Sequence, residues 1–102
     1  MNSSVLFGTD VKFKIAIDAE DFNIETDNIR LIVYIGGAEA KVYEKTDLVY
    51  IEEQGYFLCI ETKDFETGQY DIVTQLDIPD PAFEDNIRTE IYRNNLVFVK
   101  PV

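Results

Sequence analysis

Apolar and polar residues alternate strictly from residue 10 to residue 18, and this run constrains the fold more than any other feature of the sequence. The apolar members of the run are Val11, Phe13, Ile15 and Ile17. A period of two is typical of a β-strand that buries one face. No part of the sequence shows the apolar period of about 3.6 residues that a helix longer than one turn requires. The sequence therefore predicts an all-β fold.

Turn residues divide the rest of the chain into further short strands. Gly36-Gly37 predicts a tight hairpin, Gln54-Gly55 predicts a second turn, and Pro79 ends a strand because proline cannot donate to a sheet ladder. The segment 62–70 resembles a single helical turn that ends at Gly68. The predicted strands are residues 11–17, 28–35, 38–44, 49–52, 56–61, 70–78 and 87–99, with a short first piece at 5–7.

The final predicted strand has two interpretations. Asn94-Asn95 could form a type I′ turn and hence a terminal hairpin. We favour a bulge within one long strand, because the preceding strand is also long and would pair with it across the proline loop. The whole pattern predicts one domain, residues 1–102, with the fold of an immunoglobulin-like antiparallel β-sandwich of about seven strands. The Cys…Trp…Cys signature of antibody domains is absent, since the chain has no Trp.

Charge narrows the range of partners. Twenty acidic residues against nine basic ones give a net charge of −11. Nucleic-acid binding depends on Lys and Arg that neutralise phosphates, and anionic membrane surfaces attract the same residues. We therefore expect neither partner. The N-terminal residues have neither the basic nor the long apolar region of a secretory signal, so synthesis in the cytoplasm is expected.

The residues that usually carry catalysis are scarce. Histidine is absent, and the only serines, Ser3 and Ser4, lie in a terminus that we expect to be frayed. Cys59 lies between Leu58 and Ile60 in an alternating strand, so we expect it to be buried in the core rather than reactive. Paired carboxylates could serve glycoside hydrolysis, but a small sandwich has little material for a cleft. We predict no enzyme activity and no cofactor.

Acidic residues cluster in two loops, which suggests a ligand-binding alternative. Calcium takes six to eight oxygen ligands, often from loop carboxylates. The candidate calcium ligands are Asp18, Asp21, Asp80 and Asp85. The EF-hand spacing is not matched, and a solvated acidic loop is the simpler interpretation. Carbohydrate binding would need exposed aromatic rings, but all six tyrosines lie in predicted strands, where packing explains them.

Several segments resemble a known group of proteins. They are G-T-D-V-K-F-K-I-A-I (8–17), I-R-L-I-V-Y (29–34), F-E-T-G-Q-Y (65–70) and I-P-D-P-A-F-E-D-N-I-R-T-E-I (78–91). In this order they resemble small β-sandwich proteins of phage and prophage tails or baseplates, most of all the N-terminal domains of upper baseplate proteins. The resemblance implies a structural or adaptor role in a virion, contacts with other protein subunits, and no enzyme activity.

A sandwich used in this way would bind through its faces and edge strands. An edge strand can pair with a strand of another chain. We expect the edge to come from residues 96–99 or from residues 11–17. Arg88 and Glu90 lie on one face of the last predicted strand and are expected to pair with each other or across to the neighbouring strand. A self-association contact is the alternative role for this pair.

Overall fold

The computed structural model describes residues 2–101 and the side chains of residues 4–93 and 99–101. Eight strands lie within this part of the chain, together with two short 3-10 turns at Lys45–Asp47 and Thr62–Asp64. The strands are β1 (Asn2–Leu6), β2 (Asp10–Lys14), β3 (Asn28–Ile35), β4 (Ala38–Glu44), β5 (Val49–Ile51), β6 (Gly55–Glu61), β7 (Gly68–Pro79) and β8 (Ile87–Lys100). The all-β prediction is confirmed, and the described residues contain no helix long and apolar enough to cross a membrane.

The strands form two sheets that face each other as a sandwich. The large sheet has the order β1-β8-β7-β3-β4, and the small sheet has the order β2-β6-β5. Described by the letters of immunoglobulin-like sandwiches, these orders correspond to G-F-C with added strands and to B-E-D. The eight strands agree with the expected sandwich of about seven strands preceded by a short first piece. The pairing is antiparallel except between β1 and β8, which run parallel.

The core depends on β7, which lies between β3 and β8 in the large sheet. Alternate residues of β7 point inward, towards the small sheet, and each is at most 5% exposed; they are Tyr70, Ile72, Thr74, Leu76 and Ile78. Leu58 and Ile60 of β6 belong to the same buried cluster. Removing a fully buried leucine side chain from such a core costs about 2 to 5 kcal/mol. The buried row of β7 thus defines the inner face of the large sheet.

Two hydrogen-bonded contacts attach the loops to this core. The hydroxyl of Tyr70 donates to the backbone carbonyl of Glu66 at 2.6 Å, which is the arrangement of the tyrosine corner in immunoglobulin-like folds. The buried hydroxyl of Thr62 donates to the carbonyl of Thr9 at 2.7 Å and accepts from the N–H of Gly8 at 2.9 Å. The chain therefore keeps a fixed path between β1 and β2 and between β6 and β7.

The last strand, β8, contains the predicted bulge, but its final residues do not form the predicted edge. β8 is continuous, and Arg93 lies opposite Val73 whereas Leu96 lies opposite Asp71. Two residues of β8, Asn94 and Asn95, therefore oppose one residue of β7, which is the predicted bulge. The prediction that residues 96–99 form an edge is wrong, because they pair with β7 on one side and with β1 on the other.

The N-terminal residues are also more ordered than expected. Ser3 and Ser4 lie in β1, whose backbone pairs with β8 from Leu96 to Lys100, so the expectation of a frayed terminus is wrong. The sequence of β1 is mostly polar, and its pairing is with the far end of the chain. β2 is an edge of the small sheet, as predicted, although it ends at Lys14 rather than at residue 17.

Cys59 does not lie in the core, which corrects our prediction. Its neighbours Leu58 and Ile60 face inward, so the alternation of β6 turns Cys59 to the outer face of the small sheet, where it is exposed. Lys12 of β2 lies directly opposite it. Both faces of β6 carry apolar residues, with Phe57 and Cys59 on one face and Leu58 and Ile60 on the other. The sequence therefore does not show which face packs against the core.

We predict that the thiol of Cys59 in the native protein reacts with a disulfide reagent within a few-fold of its rate in denaturant, because folding leaves it accessible. The measurement is the rate of thiolate release with and without denaturant. The variant Cys59→Ser should keep the thermal midpoint of the wild type. A native thiol that reacts only upon unfolding would contradict the outward orientation of Cys59.

Candidate functional site

The side chain of Arg88, near the start of β8, joins three segments of the chain. Its Nε donates to Oε2 of Glu90 at 2.7 Å, and its Nη1 donates to Oδ2 of Asp80 at 2.6 Å. Its Nη2 donates to the backbone carbonyl of Glu20 at 2.8 Å. The guanidinium therefore links β8 to the loop before it and to the loop between β2 and β3. The predicted pairing of Arg88 with Glu90 is confirmed.

The carboxylates of this cluster are held in the charged form. Hydrogen bonds from the Ala82 N–H and from Arg88 lower the pKa of Asp80 below its ordinary value of 3.8. Hydrogen bonds from the Tyr92 hydroxyl and from Arg88 lower the pKa of Glu90 below its ordinary value of 4.5. The same contact with Glu90 raises the pKa of Tyr92. We call Arg88, Asp80, Glu90, Tyr92 and the Glu20 carbonyl the Arg88 cluster.

The structure does not bring the four candidate calcium ligands together. Asp18, Asp21 and Asp85 are exposed, and Asp80 is paired with Arg88. Over residues 2–101, no group of three or more His, Cys, Asp or Glu residues is arranged to hold a metal ion. A guanidinium lies where the two acidic loops meet. The sequence shows the two acidic loops, but it does not show that Arg88 lies between them.

The tyrosines divide into packed and exposed groups. Tyr43 and Tyr70 are buried in the core, whereas Tyr50 of β5 and Tyr92 of β8 are 57% and 43% exposed. The prediction that packing explains all six is therefore wrong for these two. The ring of Tyr50 contacts that of Tyr56 at a tilt, with the centroids 5.1 Å apart.

A cleft opens on the side of the sandwich where β2 and β8 approach each other. It has a volume of about 490 Å³. Its floor includes the buried residues Leu31, Leu58 and Ile72, and Tyr92 and Arg93 lie at its rim. The chain leaves β2 after Lys14 and continues along the cleft without forming a strand.

The first half of β8 is an open edge of the large sheet. β1 pairs with β8 only from Leu96 onward, so within the described structure residues 87–93 have a strand partner, β7, on one side alone. We call residues 87–93 the β8 edge. Ile87 and Ile91 are 46% and 64% exposed, and Phe83 in the preceding turn is 50% exposed. An unpaired edge with apolar side chains is the usual property of a strand that binds another strand.

In the β8 edge the charged side chains are on the inner face of the sheet and the isoleucines are on the outer face, whereas apolar residues usually face the core. Arg88 and Glu90 lie opposite Ile78 and Leu76 of β7, so the charged pair is on the inner face. The two isoleucines are on the outer face. The sequence places Arg88 and Glu90 on one face of the strand, and the register with β7 shows that this is the inner face.

Comparison of the chain with protein-family models, with curated proteins and with solved structures finds no match. The function must therefore be argued from the residues themselves.

We predict that replacing Arg88 by Gln raises the pKa values of both Asp80 and Glu90 towards their ordinary values. A carboxyl whose pKa is lowered by folding stabilises the native state above its unfolded pKa, and this stabilisation is lost as the pH falls through the lowered value. The wild type should therefore lose stability more steeply below about pH 4.5 than the variant does. Carboxyl titration by NMR and unfolding at several pH values measure both effects.

Glu44→Gln is a suitable control, because it removes an exposed carboxylate paired with Arg30 at a distance from the Arg88 cluster. Unchanged titration of Asp80 and Glu90 in Arg88→Gln would show that the guanidinium does not hold them.

We predict that calcium has only a small effect on the thermal midpoint, because Asp80 is already paired with Arg88 and the other candidate ligands lie apart. A real site would stabilise the fold by mass action. The measurement is thermal unfolding with and without calcium at micromolar to millimolar concentration. A large saturable increase that is lost in Asp18→Asn or Asp85→Asn would establish a calcium site in these loops.

Proposed function

We propose that this protein is a non-catalytic structural or adaptor module that acts by binding other protein subunits in a larger assembly. The observation that carries the proposal is the β8 edge, which has a strand partner on one side alone and exposes two isoleucines on its outer face. The sequence resemblance to phage tail and baseplate proteins suggests a virion as the assembly. The ligand-binding alternative has less support, because an internal cation already lies between the acidic loops.

The β8 edge differs from the edge strand β2 in the side chains that it offers. β2, an edge of the small sheet, carries Lys12 and Lys14 on its outer face. Lysines on an edge strand oppose pairing with another chain, because pairing would desolvate their charges. The β8 edge has isoleucines at two of its four outward positions, 87 and 91, with Thr89 between them and Arg93 at the end. Its exposed side chains therefore favour contact with protein.

The β8 edge is also held in place. Two hydrogen bonds from Arg88 attach its beginning to two loops, and seven residue pairs join the edge to β7. A strand that is already ordered loses little conformational entropy when a partner binds. The Arg88 cluster thus prepares the edge for binding, which is a role in positioning rather than in chemistry.

Composition supports a non-catalytic role of this kind. The chain has no histidine and a net charge of −11. Such a surface favours partners with basic or apolar patches over nucleic acid.

We predict that the protein associates with products of the genes that flank its own, and that Ile91→Lys weakens this association about tenfold or more. The substitution places a charge at the centre of the apolar contact. Tyr50→Lys, at an exposed position of β5, is the matched control and should bind as the wild type does. Co-expression followed by light scattering and titration calorimetry measures the effect. A protein that stays monomeric with every such product would refute the proposed function.

A further inference from the structure

We infer that the β8 edge pairs with the β8 edge of a second copy of this chain, antiparallel and around a two-fold axis at Thr89. This inference rests on the proposed function, since it names one partner for the same surface. It would join two five-stranded sheets into one continuous sheet. Closed two-fold pairs of this kind are the commonest arrangement of identical subunits.

The residues of the β8 edge are complementary to themselves in this register. A two-fold axis at Thr89 places Ile87 opposite Ile91 of the partner subunit, and this apolar pair occurs twice. Both isoleucines are on the outer face and exposed in the single chain. Apolar residues directly opposite each other across two strands stabilise the pairing. The contact would cover the most exposed isoleucine of the β8 edge.

The same register also satisfies the charges of the inner face. Arg88 lies opposite Glu90 of the partner subunit, again twice by symmetry. Opposite charges placed across two strands favour pairing, and like charges oppose it. Moving the axis by one residue, to Glu90, would put Glu90 opposite Glu90 of the partner subunit, with the two negative charges facing each other. Charge therefore selects the axis at Thr89.

The expected dimer is weak. Pairing of one edge over about five to seven residues buries less surface than the 1,200 Å² or so of a stable specific interface. Two chains that each carry a charge of −11 also repel each other. The association should therefore appear at high protein concentration and become stronger with added salt, which screens this repulsion.

Sedimentation velocity from about micromolar to millimolar protein, in buffer with about 0.5 M salt, tests for the dimer. The wild type should show a reversible monomer–dimer equilibrium. Ile91→Lys should raise the dissociation constant about tenfold or more, and Tyr50→Lys should leave it unchanged. Circular dichroism of each variant establishes that the monomer is folded. A wild type that stays monomeric over this range overturns the inference.

Disulfide trapping tests the register. In a Cys59→Ser background, Thr89→Cys should form a covalent dimer upon mild oxidation, because the axis brings the two Cα atoms within disulfide reach. Ile91→Cys alone should not, whereas a mixture of Ile87→Cys and Ile91→Cys should form a mixed dimer. Trapping at Ile91→Cys alone, or no trapping at Thr89→Cys, overturns the register.

The outcomes distinguish this inference from the proposed function. A monomer that still binds a product of a flanking gene through Ile91 refutes self-pairing and retains the adaptor role. A monomer that binds none of these products refutes both.

Discussion

The inward row of β7 determines the positions of the other strands. Its five buried side chains face the small sheet, and its backbone pairs with β3 on one side and β8 on the other. Residues directly opposite each other in a sheet share a face, so the inner face of β7 dictates the inner face of both neighbours. Leu31 and Val33 of β3 follow this rule and are buried. β8 follows it too, with charged residues in the inward positions. The apolar outer face of the β8 edge is thus a consequence of core register and of nothing local to β8.

Local chemistry explains the parts of the fold that could be predicted from the sequence. The bounds of β3 and β4 match the prediction, because Gly36 and Gly37 adopt the positive φ values that the hairpin turn requires. The bulge at residues 94–95 could likewise be inferred from two neighbouring strands of similar length. The orientation of Cys59 could not, because period two fixes that Cys59 and Leu58 face opposite ways without fixing which one faces the core. The pairing of β1 with β8 could not be predicted either. The sequence of β1 is mostly polar, so nothing in it indicates a strand until its partner at the far end of the chain is known.

The acidic loops illustrate why composition alone misplaced the candidate site. The sequence suggests either solvation by water or a calcium ion for these clustered carboxylates, and neither interpretation includes a side-chain cation. A guanidinium has five donors in a planar fork and keeps its charge at any ordinary pH, so it can serve several acceptors at once. Arg88 contacts two carboxylates and one carbonyl. Each pair in isolation would contribute little at a partly exposed position. Together they fix the relative positions of two loops and the start of the β8 edge.

The edge strands of this protein differ in how well they are protected from pairing with another chain. In β2 the ammonium group of Lys12 lies 4.6 Å from the centre of the Phe57 ring, so this lysine both covers apolar surface and guards the edge. β5 is only three residues long, which by itself limits pairing with another chain. The β8 edge is seven residues long and has no lysine, and its exposed cation on the outer face, Arg93, lies at its end. What opposes its uncontrolled association is the charge of the whole molecule, since repulsion between chains of charge −11 acts over about a Debye length. An apolar edge on a strongly acidic domain would then bind where a partner supplies positive charge or where salt screens the repulsion. Under the proposed function, the acidity and the open edge would act together, because charge repulsion would determine the conditions under which the edge binds.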